Sequence, residues 1–284
     1  MSDFLEYLRS PFIQRALVAI VLIGVNSALS GVFASFRSLT FLVSGASHAG
    51  LAGAALVIVL DAYGLAHGLS PVLGSVVFAV GLALLAAHTT YRSSERAADP
   101  AIGAGFAFSM ALAVVLISLV PQSATRVWGV LLGDLLLLSP DDLWLLTVLT
   151  LVVVVLFWLL WKQFLFITFD IEGAKAFGIN ASGYNYLLFG LIGLSSAIIM
   201  KGVGAIVVFA MLVSPAATAL VIGRTTRRVA VYAFLIAVGS GLLAIVVSYK
   251  TTFSVSALAA LFAAASYFVA QLLMRFTQRS HATQ

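Results

Sequence analysis

The sequence predicts an all-α fold, a polytopic transmembrane bundle of about nine membrane-spanning or half-spanning helices with one short cytoplasmic helix between them. Three observations predict it. Of its 284 residues, 62% are hydrophobic and only 9% charged, whereas soluble domains carry about 25% charged residues. Mean hydropathy is +1.15. Window after window also reaches the roughly 20 apolar residues needed to cross ~30 Å of hydrocarbon.

The elements follow in chain order. The opening ten residues, MSDFLEYLRS, mix both charge signs, and the apolar stretch after them is too long for a signal-peptide core, so no secretory leader is expected. Hydrophobic helices are expected at 11–36, 41–62, 71–89, 101–120, 141–162, 183–200, 204–223, 229–248 and 255–275. The stretch 127–138, VWGVLLGDLLLL, is too short to span and reads as a surface or re-entrant helix before Pro140. No repeat or soluble domain interrupts the pattern. We expect a single integral-membrane domain over 1–284, with a helical core at 11–275 and tails at 1–10 and 276–284.

Charge sets the orientation. Lys and Arg concentrate in YRSSERAAD (91–99), GRTTRR (223–228) and MRFTQR (274–279), which places those loops in the cytoplasm. FITFDIEGAKAFGIN (166–180) returns to the same side. Residues 63–70, 121–140 and 249–253 then lie outside. An odd number of spans puts the N-terminus outside and the C-terminus inside. The net charge of +5 is explained by this loop bias and needs no nucleic acid. With no cysteine, disulfides and thiolate metal sites are excluded.

Three stretches carry the polar chemistry. The first is SGASHAGLAG (44–53), where His48 stands among small residues inside a span. Gly45, Ala49 and Gly53 recur every four positions and form a face that admits a close helix neighbour. Ser44 and His48 share the adjacent face. An ionisable group within a span is costly and usually faces the bundle interior or a water-filled path, and a neutral imidazole is a common transition-metal ligand. The alternative is a histidine that only hydrogen-bonds across a helix pair. A catalytic reading, in which Ser47 serves an intramembrane serine protease, fails on direction: neighbours on a helix point about 100° apart, so Ser47 and His48 do not form a dyad.

The second stretch is FDIEGAKAFGIN (169–180), the most polar long segment in the middle of the chain. Asp170 and Glu172 at its start and Lys175 later suit a short helix with acids at its positive end, while Gly178 and Asn180 end it. Such a helix on the cytoplasmic face offers a docking site, although an ordinary solvated loop fits the same composition. The third is KGVGAIVVFAMLVSPAATALVIG (201–223), where Pro215, next to Ser214, removes a backbone hydrogen bond inside a span and predicts a kink or break. Transporters line substrate paths with such breaks, and a purely structural kink is equally compatible.

The absences narrow the function. There is no G-x-x-x-x-G-K-[ST] phosphate loop among the four lysines, so the chain does not itself hydrolyse ATP by that chemistry. No HExxH helix, voltage-sensor arginine ladder or TVGYG-like filter occurs.

Read together, SFRSLTFLVSGASHAGLAGAAL (35–56), ERAADPAIGAGFAFSMALAVVLIS (95–118), LLGDLL (131–136), FDIEGAKAFGIN (169–180) and KGVGAIVVFAMLVSPAATA (201–219) resemble the permease subunits of ABC importers for zinc, manganese and iron. The resemblance runs from about 11 to 275. It implies a homodimer with two cytoplasmic ATP-binding subunits and an extracytoplasmic metal-binding protein. ATP is used only through the partner subunit, and no cofactor is held permanently. Asp170, Glu172, Gly173, Lys175 and Gly178 would form the helix that docks on the ATPase, and His48 would line the metal path. The family commonly has aspartate four residues before that histidine, where this chain has Ser44, a neutral and weaker ligand. Either the path binds metal more loosely, or a carboxylate comes from elsewhere, with Asp134 and Asp61 as the nearest candidates, or the substrate differs. Rival readings are a permease for iron–siderophore or cobalamin, an intramembrane serine protease, and an ion-gradient-driven carrier working alone.

Overall fold

The computed structural model describes residues 2–65, 68–93, 98–119, 133–251 and 253–282. In hydrocarbon no water pairs with exposed backbone, so a spanning segment satisfies its own N–H and C=O groups as a helix or in a closed barrel. The described residues take the first solution. They form α1 (Ser2–Arg9), α2 (Pro11–Asn26), a π-helical turn (Ser27–Gly31), α3 (Val32–Phe36), α4 (Thr40–Ala62), α5 (Pro71–Ser93) and α6 (Ala98–Leu119). After a 3-10 turn at Leu135–Leu137 come α7 (Pro140–Phe169), α8 (Ile171–Ala176), α9 (Ala181–Val203), α10 (Val208–Ile222), α11 (Thr226–Lys250) and α12 (Val255–Ala282). Eight of these segments are long and apolar enough to cross a membrane, counting Pro11–Phe36 as one, and α10 is a shorter apolar helix.

Burial sorts the spans into an inner and an outer set. The windows over Thr40–Ala62, Ala181–Val203 and Pro11–Phe36 are 83%, 72% and 67% buried, against 22% for α6, α7 and α12. The inner three join two groups. α4, α5, α6 and α9 pack on one side, α10, α11 and α12 on the other, and the α2–α3 span lies between them. With lipid as apolar as leucine, such packing depends on close contact between small residues. Gly53 of α4 and Gly74 of α5 meet backbone to backbone, so a Cβ on either would collide with the other's carbonyl. Gly45 lies against Ile102 of α6 and Leu82 of α5, and Ala49 is buried. The small-residue face expected on α4 therefore serves two neighbours.

Residue contacts show which termini share an end of the bundle. Phe36 stacks near Phe169, His88 meets Tyr186 and Arg37 reaches Asn185, so the α3–α4 turn, the end of α5 and the α7–α9 connection lie together. At the opposite end Tyr7 meets Tyr249, Arg15 donates to the Leu138 carbonyl, and Asp142 pairs with Lys201. The N-terminus thus sits at the end opposite the basic loop 223–228, as the odd span count requires.

Three expectations need correction. The stretch 11–36 is not one regular helix. It widens into a π-helical turn at Ser27–Gly31, where Gly31 meets the Leu212 carbonyl of α10 so closely that a Cβ would clash, and Ser27 Oγ donates to that same carbonyl at 3.0 Å. No break falls at Pro215: α10 runs unbroken through it. The connection expected between the spans 183–200 and 204–223 turns at Gly204, whose φ of +87° glycine tolerates without a Cβ penalty. Ser214 is half-buried on the same helix. The described part of 127–138 is no helix either. Residues 127–132 lie outside the described residues, while Leu135 is buried in a 3-10 turn whose N–H donates to Ser256 Oγ at 3.1 Å.

Candidate translocation site and coupling segment

On α4, positions 45–47 and 49 are buried, while Thr40, Ser44 and His48 remain half-open one turn apart. This is a polar stripe on one edge of a largely buried helix, whose other open positions, Phe41, Leu56 and 60–62, lie at its start and in its second half. His48 Nδ1 lies 2.9 Å from the Ser44 carbonyl. A carbonyl oxygen only accepts, so Nδ1 carries the hydrogen and, in the neutral ring, Nε2 holds the lone pair. A backbone partner that fixes the tautomer in this way is what orients a histidine for ligation. The ring also stands edge-on to Phe106 of α6, with centroids 4.6 Å apart.

Ser47 Oγ comes within 3.4 Å of His48 Nδ1, so the two side chains do touch although they are sequence neighbours. The protease reading fails for a different reason than direction. Nδ1 already bears a proton and has no capacity to take one from serine. Ser47 itself is fully buried, with the Ser44 and Ala205 carbonyls at 2.9 and 3.3 Å to receive its hydroxyl. It fastens α4 to the Gly204 break.

The structure does not bring Asp61 or Asp134 to His48. Asp61 stands nearly four turns further along α4, about 20 Å at 1.5 Å per residue. Both aspartates line a cavity of about 410 Å³ at the end opposite the basic loops, together with Pro71, Gly133, Asp142 and Lys201. Asp134 Oδ1 accepts the Leu136 N–H at 2.9 Å and so caps the 3-10 turn. Lys201 Nζ lies 3.3 Å from Asp142 Oδ1. Among the described residues no three His, Asp or Glu side chains converge where they could hold an ion. Sequence reading missed Asp142 and Lys201 as cavity residues. The only trace is the Ser139–Asp142 capping box that starts α7.

At the basic end, α8 is a single capped turn and a half. Asp170 Oδ1 accepts the Gly173 N–H at 2.7 Å, and the carboxylate packs where a side chain on Gly173 would sit. Glu172 and Lys175 pair at 2.8 Å with both side chains largely exposed, a contact of small energetic weight. Gly178, at φ +74°, ends the helix. Its N–H reaches the Lys175 carbonyl, and the Ile179 N–H reaches that of Ala174, the paired bonds of a Schellman turn. Asn180 does not end α8, as the sequence suggested. Its Oδ1 accepts from the Gly183 N–H at 2.9 Å and caps α9 instead. Buried Ala174 anchors this helix while Phe177 is 80% exposed. The result is a prefolded surface element.

An all-α bundle of this length and apolarity, with a polar stripe on an inner helix and a capped helix projecting at its basic end, is that of a multi-pass permease of the cell membrane. The chain belongs to the ABC 3 transport family, which matches residues 9–274. It is 30% identical over 251 residues to the manganese import system permease protein ScaB of Streptococcus gordonii, covering 88% of this chain and 87% of that one. It is also 30% identical over 270 residues to the manganese transport system membrane protein MntC of Listeria monocytogenes, covering 95% and 93%. Among solved structures, PsaBC from Streptococcus pneumoniae in complex with Fab superposes with a TM-score of 0.81 at 27% identity, covering 95% of this chain and 94% of that one.

Proposed function

We propose that this chain is the membrane-spanning subunit of an ATP-driven importer for a divalent transition-metal ion, with manganese favoured over zinc and iron by the names of its relatives. It works as a homodimer on two cytoplasmic ATP-binding subunits, takes the ion from an extracytoplasmic metal-binding protein, and passes it inward by alternating access.

The observation that carries this reading is the half-open polar stripe of Thr40, Ser44 and His48 on a largely buried helix. A half-open ionisable group inside a span implies an aqueous or protein neighbour rather than lipid. A second copy facing α4 and the sparsely buried α6 would supply that neighbour and further ligands. His48 offers Nε2 and Ser44 a neutral oxygen, too few donors for tight binding. A path has to release its ion, so weak, incomplete coordination suits conduction. Asp170, Glu172, Gly173, Lys175 and Gly178 shape the docking helix, with Phe177 as its exposed apolar tip. Gly204, Ser214 and Pro215 shape the helix across the stripe's buried side.

The test is uptake of labelled Mn²⁺ into proteoliposomes holding the whole complex, with excess Zn²⁺ or Fe²⁺ as competitor. His48→Ala should lower uptake by about 100-fold, the scale of removing one oriented ligand group, while the ATPase subunits still co-purify. Wild-type uptake in that variant removes His48 from the path.

A further inference from the structure

Arg37 belongs neither to the polar stripe nor to the docking helix, yet it stands just before the first and contacts the helix that follows the second. It closes α3, and residues 37–39 turn the chain directly into α4. Ser38 holds a φ of +56° in that turn, a conformation that costs a non-glycine residue energy and persists where surroundings impose it. Leu39 is buried, and its N–H closes back on the Ala34 carbonyl at 2.7 Å. The turn is therefore tightly shaped.

The guanidinium of Arg37 donates to Asn185 Oδ1 and stands 5.7 Å from the ring centroid of Phe189. Asn185 and Phe189 are four residues apart on one face of α9, and they are 1% and 0% exposed. Asn185 lies in the second turn of α9, just after the Asn180 cap and the Schellman turn of α8. On the other flank, Phe36 is 5.4 Å from Phe169, the residue before the Asp170 cap. The 36–39 turn is thus gripped by the residues that precede α8 and by those that follow it. From this turn α4 runs on without a break, with Ser44 one turn and His48 two turns beyond Thr40.

We propose that Arg37 is a positioning residue that ties movement of the α7–α9 docking segment to the Ser44–His48 stripe. The inference rests on the transport reading above. A hydrogen bond between a charged fork and a buried amide is strong and costly to leave unmade, so a shift of α8 and the start of α9 carries the 37–39 turn, and α4 follows as a rigid rod. Arginine suits the task because a planar guanidinium can donate in its own plane while its face lies on an aromatic ring. A lysine reproduces the charge but not that geometry.

The test compares wild type, Arg37→Met, Arg37→Lys, Asn185→Ala and the double variant Arg37→Met/Asn185→Ala as full complexes in proteoliposomes. ATP hydrolysed and Mn²⁺ taken up are measured in the same vesicles, with thermal melting of each complex alongside. Uptake per ATP should fall about tenfold or more in both Arg37→Met and Asn185→Ala, a coupling loss within the usual allosteric range. ATPase association and hydrolysis should stay near wild type. Each single variant should melt somewhat lower, because it leaves a polar partner unmade, and the double variant should recover part of that shift while its uptake per ATP does not recover. The double variant should be no worse than the poorer single, because both changes remove one link, and Arg37→Lys should recover little. Uptake per ATP within about twofold of wild type in both singles overturns the proposal, as does a double variant whose loss is the product of the two. A loss that tracks melting or complex yield also overturns it. If Arg37→Met does not assemble, Asn185→Ala and Arg37→Lys decide by the same ratio. Failure of the wild-type complex itself to couple uptake to ATP would overturn the transport reading, and this inference with it.

Discussion

The two ends of the bundle are held by contacts of different range. At the basic end, the polar contacts that build α8 and start α9 join near neighbours in sequence: Asp170 to Gly173, Glu172 to Lys175 and Asn180 to Gly183. At the opposite end local caps such as Asp134 on Leu136 and Ser139 on Asp142 are joined by contacts between distant segments. Arg15 donates to the carbonyl of Leu138, 123 positions away, and the Leu135 N–H reaches Ser256, 121 positions away. Gly133 packs on the backbone of Gly204, and Lys201 pairs with Asp142. Among the described residues, the basic end departs from this pattern where the first turns of α9 take hold of Arg37 and His88. The difference separates a surface element that keeps its shape whatever its neighbours do from an assembly that exists only while several spans are in register. A docking module suits the first, and a closure at the mouth of a path suits the second.

The strongest way to break the contrast is Gly133→Val. A side chain there strikes the Gly204 backbone, and φ of +58° disfavours any β-branched residue. The two effects together should cost about 3 kcal/mol or more. Purified protein should melt several degrees lower or fail to accumulate, whereas an unshifted melting curve would mean that the distant staples carry no weight. Lys201→Met is milder. It leaves the largely buried Asp142 carboxylate without its cation and should cost about 1–3 kcal/mol, the range for a charged group that loses a partner. Adding Asp142→Asn should recover part of that loss, and melting of the single and double variants checks it. Asp170→Ala sharpens the other side of the contrast. Loss of the cap should cost α8 about 1 kcal/mol, visible as faster amide exchange over 171–176, with the global melting curve unmoved. A global shift would show that α8 is not local after all.

The membrane class, the order of spans and most of their ends were legible because apolar length and turn chemistry are properties of contiguous residues. The SHA histidine and the FDIEGAKAFGIN helix were legible for the same reason: a titratable group in a span and a capped polar insert stand out in one dimension. What escaped was decided across helices. The π-helical turn at Ser27–Gly31 carries no local mark. It forms where Gly31 and Ser27 fit the Leu212 carbonyl of another span. The connection at Gly204 was expected between two spans, but the packing of Gly133 and Ser47 around it was not. Asp61 and Asp134 were read as substitutes for a carboxylate at Ser44, yet helix rise alone carries Asp61 to the far end, and the fold places Asp134 beside it. Arg37 carries no local mark in the sequence, and its contact with Asn185 appears only once α9 is laid against it.

By itself, the sequence determined that the chain is helical, that it crosses a bilayer many times with its basic loops on one side, and that one histidine and one capped insert need explaining. These follow from hydropathy, charge and capping, which act over a few neighbouring residues. Only the tertiary structure decided which aspartates stand apart from His48, where the second helix widens into a π-helical turn, and which residue of α9 meets Arg37. Those outcomes depend on which spans touch, and contact between spans is set by close packing of small residues from distant parts of the chain.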